Sequence, residues 1–357
     1  QLAENLWYLK DKTENDLFLK ADKATTLAGY GITNAYTKSE IDTNYGGVKT
    51  LYDKNVAAGA GANGWTDTLI AVSENVNQRQ VNDGLDSIAA MLAINNPRNG
   101  MRVYVKSYHA GLNKGGGTFI YDSTKASIND GGMVINGWVR QNVCTARPEW
   151  WGAIPDGYFD CTAAIQACIN YSKANTALKP HLFGSGHIPI EFSTGAYRVT
   201  AQLDFNAFIG LKVYGAGMRA TTLFLDATDT SLLNFNNYLD IVFEDMSILS
   251  GHNSVDGFVV DKTRTNTCFK YTSQGTGTFF VHNRLLIIGF KDIENSTTST
   301  LNGDNHIHND CVYSHFDALW NNTCTQAVIW TYNQCKAYFG KDCFINPANT
   351  LVVNGGD

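Results

Sequence analysis

Apolar and polar residues alternate over short segments through most of the chain after residue 100. Strands with a period of two are predicted at Val103–Val105, Thr118–Tyr121 and Met133–Ile135, with a turn at the glycine run 115–117. Further short apolar segments separated by polar turns fill residues 188–249. Residues 162–172 instead follow a helical period, whose buried side comprises Ala164, Ile165, Cys168, Ile169 and Ser172. The pattern predicts a mainly β protein with one amphipathic helix.

A second helical period runs through residues 65–95. Leu69, Val72 and Val76 are spaced three and four, and the next set is spaced four, three and four: Val81, Leu85, Ile88 and Leu92. These are the spacings of a coiled-coil seam, although the register slips between the two sets and Gly84 weakens the centre. We predict a trimeric helical neck over residues 65–100. The alternative is an ordinary amphipathic helix packed against one domain.

Residues 1–64 consist of short polar segments and turns, with too few apolar residues for an independent core. Either three chains intertwine here or the segment is a flexible linker. The stretch from Lys23 to Lys38, followed by Ser39-Glu40-Ile41-Asp42, resembles the repeat of phage tail-fibre proteins. This resemblance implies a homotrimeric fibre that attaches to phage tail or baseplate proteins.

The segment at 151–166 reads WGAIPDGYFDCTAAIQ. It resembles the opening motif of pectate-lyase-like and polygalacturonase-like β-helix proteins, in which a strand leads through Asp-Gly and Asp-x-Thr into a capping helix. The motif residues are Trp151, Gly152, Asp156, Gly157, Asp160, Thr162 and Gln166. Asp160 or Thr162 can N-cap the helix, whose apolar side can cover the open end of a β-helix. Residues 101–148 resemble the small β domain that precedes the helix in phage capsule depolymerases.

A repeat supports the same architecture. The segment from Ile288 to Asn295 aligns with that from Ser314 to Asn321, and a looser third copy runs from Tyr338 to Asn346. A period in the twenties with one Phe and one Asn per unit is typical of stacked β-helix coils, in which the Asn side chains hydrogen-bond along a turn. We therefore predict a right-handed, trimeric parallel β-helix over residues 149–357, with its capping motif at 151–172.

Composition narrows the class of protein. Charged residues make up only 17% of the 357 residues and Gly is frequent, which suits an extended β surface with many turns. The net charge of −6 argues against a nucleic-acid partner. The eight cysteines form no CxxC pair, so we expect reduced, packed thiols. No cofactor is expected.

The ends of the chain bear on its location. No signal peptide opens it and no run of about 18 apolar residues exists, so we expect neither secretion nor membrane insertion. We expect a virion component, made in the host cytoplasm. Because the chain starts with Gln1 and stops without a closing element, we also expect a fragment truncated at both ends.

Cleavage of a glycan by hydrolysis needs two carboxyl groups across a groove. The candidates are Glu244, Asp245, Asp292, Glu294, Asp304, Asp310 and Asp317. Alternation places His306, His308 and Asp310 on one face of a strand, as a metal or acid–base site. A solvent-facing turn is the favoured interpretation there, so no metal is expected. The candidate sugar-stacking residues are Trp320, Trp330, Tyr332 and Tyr338.

The combined resemblance implies a phage tail spike that binds and degrades bacterial capsular or O-antigen polysaccharide, by hydrolysis or β-elimination. A non-enzymatic receptor-binding spike on the same fold is the alternative, because the active site can lie outside this fragment. A cellular pectate-lyase-like enzyme is a further alternative. It is disfavoured because such an enzyme has no use for the fibre-like repeat.

Overall fold

The computed structural model of the protein describes residues 1–19, 71–73, 76–77, 83–175, 186–254, 257–261, 263, 265–272, 276–296, 302–303, 305–322, 329–345 and 350–356. The chain forms two units, residues 1–70 and 71–357. Helix α1 (Leu2–Leu19) belongs to the first unit. The fibre-like repeat at 23–42 lies outside the described residues and stays a prediction. None of the described helices is long and apolar enough to span a membrane.

The second unit begins with a small β domain. Its elements are β1 (Ala71–Ser73), β2 (Val76–Asn77), α2 (Ile88–Leu92), β3 (Arg102–Ser107), β4 (Gly115–Tyr121), β5 (Val134–Ile135) and β6 (Trp138–Arg140). Strands β3 to β6 form a four-stranded antiparallel sheet in the order β3-β4-β6-β5. A short 3-10 helix, Ser123–Lys125, lies between β4 and β5, and a second one, Pro148–Trp151, follows β6. The three strands predicted from alternation are confirmed.

The continuous helix predicted over 65–95 is wrong for the described residues. Residues 71–73 and 76–77 pair as two antiparallel strands, and the short helix Ile88–Leu92 precedes strand β3. The physical reason is that the apolar side chains of this segment have a core within the same chain to pack into. Leu85, Ile88 and Met91 pack into the core of the small β domain, as in the alternative of a helix packed against one domain.

The glycine run 115–117 was predicted as a turn, but it opens strand β4. Glycine is needed there because other backbone passes very close. A Cβ on Gly116 would lie 2.3 Å from the carbonyl oxygen of Val105, and one on Gly115 would lie 2.1 Å from that of Glu149. The buried Arg140 guanidinium also donates to the carbonyl oxygens of Gly115 and Gly116.

The capping motif is confirmed as a structural unit. Strand β7 (Asp156–Asp160) leads into helix α3 (Thr162–Ala174), whose buried residues are the predicted Ala164, Ile165, Cys168, Ile169 and Ser172. The Asp160 carboxylate accepts hydrogen bonds from the backbone and hydroxyl of Thr162 and from the Thr200 hydroxyl. Gln166 exchanges two hydrogen bonds with the backbone of Asp204, which joins the helix to the first coil.

The other motif residues hold the entry to this cap. Asp156 accepts hydrogen bonds from the backbone of Tyr158 and Phe159, so its predicted turn role is confirmed. Gly152 has a left-handed φ of +89° at the end of a 3-10 helix. A Cβ on Gly157 would collide with the Asn253 side chain at 2.2 Å. The Trp151 indole donates to the carbonyl oxygen of Asp130, 2.9 Å away.

The remainder is a parallel β-helix. Its strands are β8 (Ile190–Glu191), β9 (Gly195–Val199), β10 (Leu203–Tyr214), β11 (Thr221–Leu225), β12 (Ser231–Ser254), β13 (Gly257–Val260), β14 (Thr267–Tyr271), β15 (Thr276–Ile288), β16 (Asp292–Ser296), β17 (Asn302–Gly303), β18 (Asn305–Asn309), β19 (Val312–Asn322), β20 (Ile329–Ile345) and β21 (Thr350–Gly356). All pair in parallel except β13, which pairs antiparallel with β12. The predicted mainly β fold with a parallel solenoid is confirmed.

Stacking of equivalent positions builds the interior. One inward column runs Leu203, Leu233, Phe269, Glu294 and Trp320 in register. A second column runs Val213, Phe243, His282, His308 and Tyr332. All ten side chains are buried. The six cysteines whose side chains are described are free thiols, five of them buried or half-buried and Cys144 exposed.

The predicted repeat is confirmed for its first two copies, because Asn295 pairs with Asn321. The third copy is out of register by one residue. Phe316 pairs with Gly340 rather than Phe339, and Asn321 pairs with Ile345. The Phe316 ring explains the difference, since a Cβ on Gly340 would lie 2.3 Å from it.

The asparagine hydrogen bonds run along a different turn from the one predicted. Asn309 donates to Asn283, Asn333 donates to Asn309, and Asn354 donates to Asn333, with N···O distances of 2.8, 2.8 and 2.9 Å. We call these four residues the asparagine ladder. Asn295 and Asn321 instead both donate to the Asp292 carboxylate, and Asn346 lies outside the described residues.

Candidate functional site

The seven candidate carboxylates separate into buried, surface and undescribed groups. Glu294 is fully buried between Phe269 and Trp320 and is not an accessible catalytic acid, so that candidate is corrected. Asp304 lies outside the described residues. The remaining five lie at two corners of the β-helix: Glu244, Asp245 and Asp310 at one, and Asp292 and Asp317 at the other.

The first corner is a set of neutralised charges. Arg284 binds the Asp245 carboxylate through two nitrogens, at 2.6 and 2.7 Å, and Lys212 pairs with Glu244. The hydrogen bond from Arg284 lowers the pKa of Asp245 despite some desolvation. An acid held ionised in this way is a poor proton donor. Asp245 is therefore better suited to binding polar groups than to general-acid catalysis.

The second corner offers a different environment. The Asp292 side chain is 3% exposed, and this burial raises its pKa, outweighing the hydrogen bonds from Asn295 and Asn321. Asp317, which raises that pKa further by charge repulsion, is ion-paired with Lys341 at 3.3 Å. Asp317 is therefore the accessible carboxylate of this corner, and Asp292 is its nearly buried neighbour.

Exposed aromatic side chains lie beside this second corner. Phe339 is 76% exposed and Tyr338 is 43% exposed, and the rings of Phe339 and His315 are 4.9 Å apart. We call His315, Tyr338 and Phe339 the aromatic surface. Asp317 follows His315 by two residues and Lys341 follows Phe339 by two, so the surface and the ion pair occupy the same two neighbouring coils.

The sequence predicted only part of this surface. Among the four candidate sugar-stacking residues, only Tyr338 is exposed, whereas Trp320, Trp330 and Tyr332 are core residues. Phe339 was missed because the repeat alignment placed it at the inward position of Phe316. Its left-handed φ of +58° follows that of His315 in the coil before, and together they mark a stacked turn that points side chains outward.

The histidine cluster is also differently placed from the prediction. His306 and His308 were expected in a solvent-facing turn, but both point into the core and are 1% exposed. Asp310 does not share their face, because it lies at an exposed turn with a φ of +52°. Their partner is His282, one coil earlier, whose ring stacks on that of His308 at 4.4 Å. The β-helix register brings these residues together, so no local motif signals the pair.

Comparisons with known proteins agree with the fold. Residues 84–143 match the model of the phage tail protein small four-stranded β-sheet domain. No curated protein sequence matches the chain significantly.

Two solved tailspike structures resemble the protein. The enzymatically active domain of tailspike protein 2 from bacteriophage CBA120 aligns with a TM-score of 0.53 at 17% identity, covering 85% of this chain and 43% of that one. A capsular polysaccharide depolymerase, tailspike protein gp49 of the Acinetobacter baumannii bacteriophage Fri1, aligns with a TM-score of 0.52 at 15% identity. The alignment covers 76% of this chain and 52% of that one. The chain thus spans about half the length of these structures. Residues 84–143 thus match the small β-sheet domain found in phage tail proteins, and the chain shares its parallel β-helix fold with these two structures.

Proposed function

We propose that this chain is the part of a phage tailspike that binds bacterial surface polysaccharide and cleaves its glycosidic bonds. One observation carries the proposal: a small β-sheet domain of phage tail proteins leads directly into a capped parallel β-helix in the same chain. The names of the two similar structures, an enzymatically active tailspike domain and a capsular polysaccharide depolymerase, support the same activity.

Within the described residues, we place the saccharide on the aromatic surface. An exposed Phe ring has no structural role in a single chain, and exposed apolar groups rimmed by polar residues mark binding sites. Tyr338 and Phe339 can lie against the apolar face of a sugar ring, while Asp317 and Lys341 hydrogen-bond its hydroxyl groups. The mixed charge of this pair suits a polar, uncharged part of a glycan.

Asp292 and Asp317 are the carboxyl pair that we assign to cleavage. Asp292 pairs in register with Ala318, so the two carboxyl groups come from neighbouring coils. In this assignment Asp317, the more exposed of the two, acts on the substrate as base or nucleophile, and the nearly buried Asp292 acts on Asp317 from the neighbouring coil.

The test measures the size of capsular polysaccharide from a susceptible host after incubation with the full-length protein. Asp317→Asn is expected to slow chain shortening by about 10²–10⁴-fold. Asp245→Asn, in a carboxylate at the other corner, serves as the control and should retain the rate. If the unaltered protein releases no reducing ends, the enzyme proposal fails. If Asp317→Asn cleaves as fast as the unaltered protein, the assignment of this pair fails.

Binding is tested separately with Phe339→Ala. Loss of one stacking ring should weaken polysaccharide affinity by roughly 2- to 12-fold, the equivalent of about 0.5–1.5 kcal/mol. Tyr104→Ala is the matched control, because Tyr104 is 52% exposed but lies in the small β domain. Unchanged affinity, or a change of oligomeric state in Phe339→Ala, would show that this surface serves another purpose, such as contact between subunits.

We also propose that the protein is a homotrimer that attaches to the tail or baseplate through residues 1–64 and is made in the host cytoplasm. Helix α1 supports an oligomer. Leu2, Leu6 and Leu9 are spaced four and three and are 83, 67 and 59% exposed, as a coiled-coil seam is in a single chain. Light scattering should give three chains per particle, and Leu6→Lys should lower that number. A monodisperse monomer of the unaltered protein would refute the trimer.

A further inference from the structure

The interior of the β-helix contains a compact group of metal-ligating side chains. The ring nitrogens of His282 and His308 and a carboxylate oxygen of Glu294 all lie within 4.8 Å of one another, and all three residues are buried. His282 Nε2 is 2.9 Å from Glu294 Oε1, and His308 Nε2 is 3.6 Å from Glu294 Oε2. The three side chains come from two of the inward columns and from two neighbouring coils.

Hydrogen bonding within the described residues does not satisfy these atoms. His282 Nδ1, His308 Nε2 and Glu294 Oε2 are buried without a hydrogen-bond partner. Two imidazoles and one carboxylate thus converge in a dry core with polar atoms left unsatisfied, an arrangement that is costly unless these atoms bind something. The group therefore calls for a cation.

We propose that His282, Glu294 and His308 bind a divalent transition-metal ion of the Zn²⁺ type inside the β-helix. Two imidazoles and one carboxylate are a common ligand set for Zn²⁺. Bonds of about 2.0–2.1 Å in a tetrahedral arrangement separate ligand atoms by about 3.3 Å, which lies between the two distances to Glu294. The ion would join two faces and two coils of the β-helix from within.

The surroundings hold these ligands in orientation. The Tyr313 hydroxyl lies 2.6 Å from His308 Nδ1, so this nitrogen can carry the proton and leave Nε2 free to bind a metal. The Tyr271 hydroxyl donates to Glu294 Oε1 at 2.8 Å. The Tyr332 ring stacks on His308 at 4.3 Å. Hydrogen-bonded outer residues of this kind fix the tautomer and direction of metal-binding side chains.

The test uses the full chain without a histidine tag. Metal content is measured by mass spectrometry after purification, and Co²⁺ is added after chelation and refolding as a spectroscopic probe. We expect one equivalent of bound metal per chain and the visible absorption of Co²⁺ held by nitrogen and oxygen ligands. Chelation should lower the melting temperature. Less than a tenth of an equivalent together with no Co²⁺ absorption would overturn the proposal, leaving a proton as the counter-charge.

Variants locate the site. His308→Gln should weaken Co²⁺ binding by at least about 100-fold, beyond the roughly 10- to 100-fold typical of losing an outer partner. His187→Gln is the control: the His187 ring packs on Phe208 and bonds the Ser172 carbonyl oxygen beside the capping helix, so one equivalent should remain. If His308→Gln does not fold, Tyr313→Phe replaces it, with about 10-fold weaker binding expected. Undiminished binding in the variant that folds would place the metal elsewhere and refute the site.

Discussion

The asparagine ladder allows a graded prediction of stability. Asn309 lies in its middle, where it donates to Asn283 and accepts from Asn333, both at 2.8 Å. Asn309→Ala removes both hydrogen bonds and leaves two half-buried polar atoms without their partners. At about 1 kcal/mol net for each bond, the free energy of unfolding should fall by about 2 kcal/mol, or about 30-fold in the folding equilibrium.

Asn354→Ala is the matched control, because Asn354 ends the ladder and makes a single exposed bond to Asn333. Its expected loss is about 1 kcal/mol or less. Unfolding is measured in urea through the fluorescence of the buried Trp320 and Trp330. The reasoning is refuted if Asn309→Ala lies within about 0.5 kcal/mol of the unaltered protein, or if the two variants lose the same amount.

Three further changes probe the fold. Gly340→Ala places a Cβ against the Phe316 ring, so thermal unfolding should show a loss of about 1–3 kcal/mol in the free energy of unfolding. Adding Phe316→Leu should partly relieve this loss. If the effects of the two substitutions simply add, the contact is contradicted. Desolvation raises the pKa of Asp160, but hydrogen bonds from Thr162 and Thr200 outweigh it and lower that pKa. The stability that Asp160 contributes is thus present above its unfolded pKa of about 3.9 and is lost as pH falls through the lower folded pKa. Asp160→Asn should therefore destabilise the protein at pH 7 and have little effect in strong acid. A difference in unfolding free energy that does not change with pH would contradict this. Arg140→Met removes three hydrogen bonds to glycine carbonyl oxygens and should cost at least about 3 kcal/mol in chemical denaturation, whereas near-neutral behaviour would contradict a structural role.

Local features of the chain were predictable because their causes are local. The N-cap residue of the capping helix is Cys161 rather than the predicted Asp160 or Thr162, but the Asp160 carboxylate accepts from the backbone of Thr162, the first helical residue. The five predicted residues form the buried side of this helix. Both follow from contacts between residues a few positions apart. The strands of the small β domain and the first two copies of the repeat were predictable for the same reason, since alternation and periodicity act along the chain.

Other features depended on distant partners. Leu85, Ile88 and Leu92 have coiled-coil spacing, but Leu85 and Ile88 pack with Met91 into the core of the nearby sheet, and Leu92 is exposed. The candidate site likewise combines Asp292 with Asp317 from the next coil, and only the register shows that the two are neighbours. The spacing of apolar residues therefore does not determine whether they pack against a second helix or against a sheet of the same chain.

The sequence alone therefore determined the class of fold, the capping helix and the approximate period of the coils, because hydrogen bonds and apolar contacts within short segments specify them. Only the tertiary structure decided which polar residues face inward. His282 and His308 enter the core because each stacks in register on a residue of another coil, and Glu294 follows because it occupies an inward column. The register places Gly340 opposite the buried Phe316, so Phe339 lies one residue away from the inward position that the repeat alignment assigned to it.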